Sequence, residues 1–148
     1  ECRHNLTYWN HQDYIGAGSG GTGTVYNQDG SGIRWTNIKD IEKYIKAWEK
    51  YNPSTSIADS DCQITEKIER DTSKFEVFMM GLRKNAGISN KEYKSVFNEE
   101  IPLPIVNLFK KWQKKKLSEI ETQGEDTRYY LNSKGLLFLN QFLEQMEL

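Results

Sequence analysis

Six consecutive residues near the start of the chain, His4-Asn5-Leu6-Thr7-Tyr8-Trp9, carry its densest set of reactive and aromatic groups. An imidazole, an amide, a phenol and an indole this close together could ligate a metal or flank a planar ring, with His4 as the metal-binding member. The competing reading is structural: His4 and Asn5 cap a short helix while Tyr8 and Trp9 pack, and composition alone favours it. His11 lies close by, but its separation from His4 matches no metal-binding spacing.

The run Gly16-Ala17-Gly18-Ser19-Gly20-Gly21 contains the pattern GxGxxG. A dinucleotide fingerprint also needs a helix directly after it and an acidic residue about 20 positions on. Strand-like Thr24-Val25-Tyr26 follows instead, which argues against nucleotide binding of that kind. Gly16, Gly18 and Gly20 rather suggest a bare strand that a cofactor or another backbone approaches closely. Lys110, Lys111, Lys114, Lys115 and Lys116 invite a nucleic-acid reading. No arginine fork accompanies them for base readout, and carboxylates are frequent around them, so a solvated helix end is expected and no nucleic-acid partner. No Ser/His/Asp triad, HExxH or P-loop is present, and Glu99-Glu100 stands in a polar loop, so no catalytic residue is assigned.

The elements that must position these groups follow from periodicity. Tyr14-Ile15, Thr24–Tyr26 and Ile33–Thr36 read as strands, with Asp29-Gly30-Ser31-Gly32 as a hairpin turn. A helix is expected over 38–49, capped by Asn37, with Ile41, Tyr44, Ile45 and Trp48 buried. Tyr51-Asn52-Pro53-Ser54-Thr55-Ser56 is a loop, and a boundary is placed there, with residues 51–61 as linker. The organising helix covers 71–86, with Phe75, Phe78, Met79 and Leu82 on one face and Gly87 as its left-handed cap. Ser89-Asn90-Lys91-Glu92 is a capping box for a helix to Phe97. Ile105, Leu108, Phe109 and Trp112 form the face of the next helix. Strands over 117–121 and 128–131 flank the polar tip Gln123-Gly124-Glu125-Asp126. A last helix over 133–147 buries Leu136, Leu139, Leu143 and Met146. Three helices, a hairpin and a helix are the order of a winged helix. Phe75, Phe78, Leu82, Leu108, Trp112, Leu139 and Leu143 are expected to be mutually buried.

The chain has 148 residues and a formal net charge of −1, with 36% hydrophobic and 28% charged residues. That balance describes a soluble globular protein with no global attraction to nucleic acid or anionic lipid. No run approaches the ~18–20 apolar residues of a membrane span, so no stable membrane insertion is expected. Cys2 and Cys62 form no CxxC pair, and reduced, cytoplasmic thiols are the default. The chain begins in mid-pattern at Glu1-Cys2-Arg3-His4 and reads as a fragment of something longer.

With the motif HNxxYW intact at His4, Asn5, Tyr8 and Trp9, the chain resembles the C-terminal portion of oxygen-independent coproporphyrinogen III oxidase-like proteins of the radical SAM superfamily, in their haem-chaperone branch. The resemblance runs through 13–20, Arg34-Trp35-Thr36-Asn37, Phe75-Glu76, Gly81-Leu82-Arg83 and Tyr130-Leu131-Asn132-Ser133-Lys134-Gly135. It implies an α+β chain: residues 1–50 the last strands of a partial α/β barrel, residues 62–148 a mostly helical, winged-helix-like domain. It implies haem or a porphyrinogen as ligand and a client haem enzyme as partner. His4, Asn5, Tyr8, Trp9, Gly16, Gly18 and Gly20 are its candidate cofactor contacts, with His4 the metal ligand. By the resemblance a [4Fe–4S] cluster, S-adenosylmethionine and haem belong to the longer parent. The CxxxCxxC that would hold the cluster is absent from this sequence, so the fragment alone should carry no cofactor and run no radical chemistry. After Gly20, Gly21 and Thr22 replace the family's small residue and histidine. The alternative implied activity is oxidative decarboxylation of coproporphyrinogen III; a winged-helix nucleic-acid binder is a third. The first 50 residues, as strands of an unfinished barrel, are expected to be mobile, differently folded, or paired with another chain.

Overall fold

Along α5 (Leu103–Lys114), Ile105, Leu108, Phe109 and Trp112 recur on one face and all are buried. The computed structural model of the chain describes residues 3–51 and 62–147, with Arg3 and His4 described in backbone only. Pro102 precedes α5 with an extended backbone, and Pro104 sits in its first turn, where a missing N–H costs nothing. α3 (Arg70–Gly81), α4 (Asn90–Phe97) and α7 (Leu139–Leu143) contribute to the same buried cluster as α5. Phe109 meets Phe142 at 4.7 Å and Tyr129 at 5.3 Å between ring centroids, and Tyr93 meets Phe97 at 4.8 Å.

The expected capping box is present: Ser89 Oγ accepts from the Glu92 N–H at 3.0 Å, and Glu92 Oε2 accepts from the Ser89 N–H at 3.0 Å. β4 (Ile88–Ser89), β5 (Ser118–Gln123) and β6 (Asp126–Leu131) form an antiparallel sheet in the order β4-β6-β5. With α3, α4 and α5 this is the winged-helix arrangement.

Several local expectations change. α3 stops at Gly81 rather than 86, because the chain turns to lay Ile88 against it: a Cβ on Gly81 would lie 2.5 Å from Ile88 Cγ1. Gly87 has φ 62° but is not the cap of that helix; it admits the Tyr129 carbonyl, which would lie 2.1 Å from any Cβ there. The buried face of α3 runs through Ser73, Val77, Phe78 and Gly81, leaving Phe75 36% exposed. Phe78, Leu82, Leu108, Trp112 and Leu143 are buried together as expected, and Leu139 only partly. The last helix breaks into α6 (Ser133–Leu136) and α7, with Phe138 outside helical geometry between them. Gly135 sits so close to the Leu117 carbonyl that a Cβ would approach it to 1.9 Å, which pins α6 to the start of the hairpin.

The N-terminal part begins with α1 (Arg3–Trp9) and an antiparallel sheet of β1 (Thr22–Tyr26), β2 (Gly32–Asn37) and β3 (Gln63–Ile68), in that order. The register pairs Gly23 with Trp35 and Trp35 with Thr65. No barrel closes among the described residues, and the chain is α+β. The sequence reading drew no strand over 63–68, yet β3 completes the sheet and leads through Glu69 alone into α3. The Tyr14-Ile15 strand reduces to a single bridge from Tyr14 to Thr24. α2 (Ile41–Glu49) starts later than expected and is capped by Asp40, whose Oδ1 accepts from the Lys43 N–H at 3.0 Å. It buries no residue: Ile41 is 63% and Ile45 50% exposed, with Tyr44 and Trp48 half-buried.

The hairpin turn at Asp29–Gly32 forms, with Gly30 at φ 84°. Gly30 sits against Phe97, whose Cε1 would lie 2.4 Å from a Cβ at that position, so the tip of the N-terminal hairpin rests on α4.

Candidate binding cavity

Strand alternation divides the N-terminal sheet into two faces with different chemistry. Thr24, Tyr26 and Arg34 face α3. Arg34 donates to both carboxylate oxygens of Glu76 at 2.9 and 2.6 Å, and its Nε donates to Thr24 Oγ1 at 3.3 Å. This paired geometry holds the guanidinium charged, raising its pKa chiefly through the Glu76 hydrogen bond. His11, at φ 53°, places its ring 3.6 Å from the Tyr26 ring, and its Nε2 lies 3.0 Å from Ser73 Oγ. Burial, outweighing the pull of Glu76, lowers the His11 pKa to about 4 and keeps the ring neutral. Burial likewise raises the Tyr26 phenol to about 12. His11, set aside on spacing grounds, is thus a half-buried anchor between the end of α1 and α3; no sequence motif announces it.

Gly23, Val25, Ile33, Trp35, Asn37, Gln63 and Thr65 lie on the opposite face. Gly23 has no side chain because Trp35 lies over it, with its Cζ2 2.2 Å from where a Cβ would stand. Asn37 is 2% exposed and does not cap a helix as expected: its Nδ2 donates to the carbonyls of Gly16 at 3.2 Å and Gly18 at 2.8 Å. Gln63 Nε2 in turn donates to Asn37 Oδ1 at 2.8 Å. The glycine run is therefore a loop clasped to β2. Its glycines are required by its own backbone, since a Cβ on Gly16 would lie 2.3 Å from the Thr22 carbonyl oxygen. Gly18 and Gly20 adopt φ 82° and 71°, which suits glycine.

Between this face and α2 lies a cavity of about 510 Å³. Ile15, Gly16, Ala17, Ile33 and Trp35 line one side, Tyr44 and Trp48 the other, and Asn37, Gln63 and Thr65 its polar end. Tyr44 and Trp48 meet edge-on at 6.1 Å between ring centroids. Among the described lining residues none is His, Cys or Met, and among all described residues no group of three or more His, Cys, Asp or Glu could hold a metal. The sequence reading placed Tyr44 and Trp48 on a buried helix face; their separation by one helical turn was the available signal for a shared wall.

The HNxxYW residues go elsewhere. They lie on α1, where Asn5 is half-buried and Tyr8 stacks edge-on against Tyr14 at 4.5 Å. The His4 side chain lies outside the described residues. Trp9 lines a smaller cleft of about 210 Å³ with His11, Val77 and Lys84. There the buried Lys84 ammonium donates to Asn10 Oδ1 at 3.0 Å and lies 3.7 Å from Glu92. Of the seven residues singled out from sequence, the structure thus brings Gly16 to the large cavity and Trp9 to the small cleft. The lysines at the end of α5 are exposed, beside a hairpin bearing Glu119, Glu121 and Glu125.

The chain is similar to proteins named heme chaperone HemW. It is 31% identical to that of Lactococcus lactis over 66% of this chain and 22% of the relative. It is 27% identical to that of Bacillus subtilis over 95% of this chain and 33% of the relative. Against that of Escherichia coli it is 28% identical over 97% of this chain and 34% of the relative. This chain is HemW-like. It spans about a third of the length of the curated relatives that match along most of it. No family profile matches it, and no solved structure matches it significantly. No helix among the described residues is long and apolar enough to cross a membrane.

Proposed function

We propose that the protein is part of a cytoplasmic haem carrier that binds haem and passes it to client proteins. The observation that carries this reading is the similarity to heme chaperones over 95–97% of the chain. The intact HNxxYW motif and the aromatic cavity support it. In this reading the iron–sulfur cluster and S-adenosylmethionine belong to portions of the relatives that these 148 residues do not span. His4 is the motif's iron ligand, through a neutral imidazole nitrogen. Asn5 orients it, while Tyr8 and Trp9 stiffen the helix that presents it, Tyr8 by its contact with Tyr14.

Against the expectation that the fragment alone carries no cofactor, the test is titration of the purified chain with haemin, followed through the Soret band. Saturable binding with a defined band is expected, and His4→Ala, folded by circular dichroism, should shift or lose that band. An unshifted band in the variant removes His4 from the ligands. Absence of any saturable band in the parent chain removes the reading. Formation of protoporphyrinogen by the longer protein would instead favour the decarboxylase.

A further inference from the structure

We propose that the cavity between α2 and the open face of the N-terminal sheet is a second seat for a tetrapyrrole ring, additional to the iron ligand on the HNxxYW helix. This rests on the haem-binding reading and adds a further place for a macrocycle and what recognises it. The first argument is shape. At about 510 Å³ the cavity falls within the range of roughly 300–1,000 Å³ usual for small-molecule sites. Two indoles and a phenol supply flat walls, the surfaces on which a conjugated ring stacks. The Trp9 cleft is less than half that volume, about 210 Å³, and holds an ammonium already engaged by Asn10 and Glu92.

The second argument is preorganisation. Trp35 is seated over Gly23, where any side chain would displace it. The loop at the rim is clasped by Asn37 through two carbonyls, and Gln63 secures Asn37. A ligand entering here therefore does not pay to order the loop, which is where affinity is commonly lost. The third argument is unspent apolar surface: Ile15 and Ile33, which line this cavity, are 83% and 50% exposed. A macrocycle covers such side chains on its faces, while its peripheral carboxylates can reach the polar end at Gln63 and Thr65.

Because the described walls contain no His, Cys or Met, recognition here is of the ring, and the metal is secondary. Tyr44 is the lining group of a type that also ligates haem iron. Metal-free protoporphyrin IX should therefore bind at this site as well as haemin does.

The experiment titrates the chain with metal-free protoporphyrin IX and with haemin, reading tryptophan quenching and the Soret band. Ile33→Asp and Ile15→Asp, at exposed positions that leave the core untouched, place a carboxylate on the wall. Each should weaken metal-free protoporphyrin IX about tenfold or more, the cost of losing one apolar contact and opposing the ring's carboxylates. Ser95→Asp, which places a carboxylate in the other cleft, should leave protoporphyrin affinity unchanged. Should Ile33→Asp fail to fold, Ile15→Asp at the rim decides alone. Protoporphyrin IX binding that survives both carboxylates unchanged overturns this site while leaving the haem reading intact. Failure of the unmodified chain to bind either tetrapyrrole overturns both.

Discussion

The winged-helix unit and the N-terminal sheet spend their apolar side chains in opposite ways. In the first, Phe78, Tyr93, Phe109 and Phe142 are 0% exposed and Phe97 2%, all within one cluster. In the second, α2 buries nothing, and Ile15, Ile33, Ile41 and Ile45 are each at least 50% exposed. Such a sheet cannot be held by a core of its own. It is held from one side, through Arg34 on Glu76, His11 on Ser73 and the hairpin tip on Phe97. On the other side, among the described residues, the sheet faces α2 across the cavity. Under the proposed ring site, anchoring and binding fall on opposite faces of the same three strands.

The comparison predicts unequal mutational costs. Phe109→Ala, at the centre of the cluster, should cost about 3–5 kcal/mol in denaturant unfolding. A loss below about 1 kcal/mol would mean that the winged-helix core does not carry the stability assigned to it. The His11 contact should make the anchoring face pH-sensitive. Its folded pKa of about 4 lies below its ordinary 6.5, so its contribution is complete above 6.5 and is lost as pH falls towards 4. Allowing for its partial exposure, about 2 kcal/mol should disappear across that window. His11→Gln should flatten this part of the stability–pH curve, and an unchanged curve would place the titration elsewhere. Smallest of all, Ile45→Ser on the open side of α2 should change stability by less than about 0.5 kcal/mol. A larger loss would show that this helix face is already covered.

Legibility in the sequence follows the same division. The winged-helix elements were readable because each is specified locally: the capping box at Ser89–Glu92, the four-residue recurrence from Ile105 to Trp112, and the polar tip before Asp126. The organising helix was readable in place but not in face. Periodicity could not tell that Phe75 points away from a helix whose buried side contains Ser73 and Gly81. In the N-terminal sheet, long-range partners overrode local signals. Gln63–Ile68 exposes four of its six residues and alternates weakly, so its strand character comes from pairing with β2. Asn37 is a plausible cap by type, yet its amide is taken by a loop some twenty residues upstream, and Asp40 caps in its place. The cavity itself was not legible, since its walls come from three stretches far apart in the chain: 15–17, 33–48 and 63–65.

The late arrival of β3 has a consequence for how the molecule is made. β1 and β2 are joined by a short turn and can zip together as soon as both exist. β3 must wait for the intervening segment that contains α2, and long-range pairing of that sort pays a larger closure entropy. During synthesis from the N-terminus, the chamber therefore lacks its Gln63–Thr65 wall until the residues that lead directly into α3 have emerged. Closure of the chamber and the docking of the sheet onto the helical unit then become nearly simultaneous steps of maturation, and a polypeptide ended near residue 50 would hold a hairpin and a helix with no vessel between them.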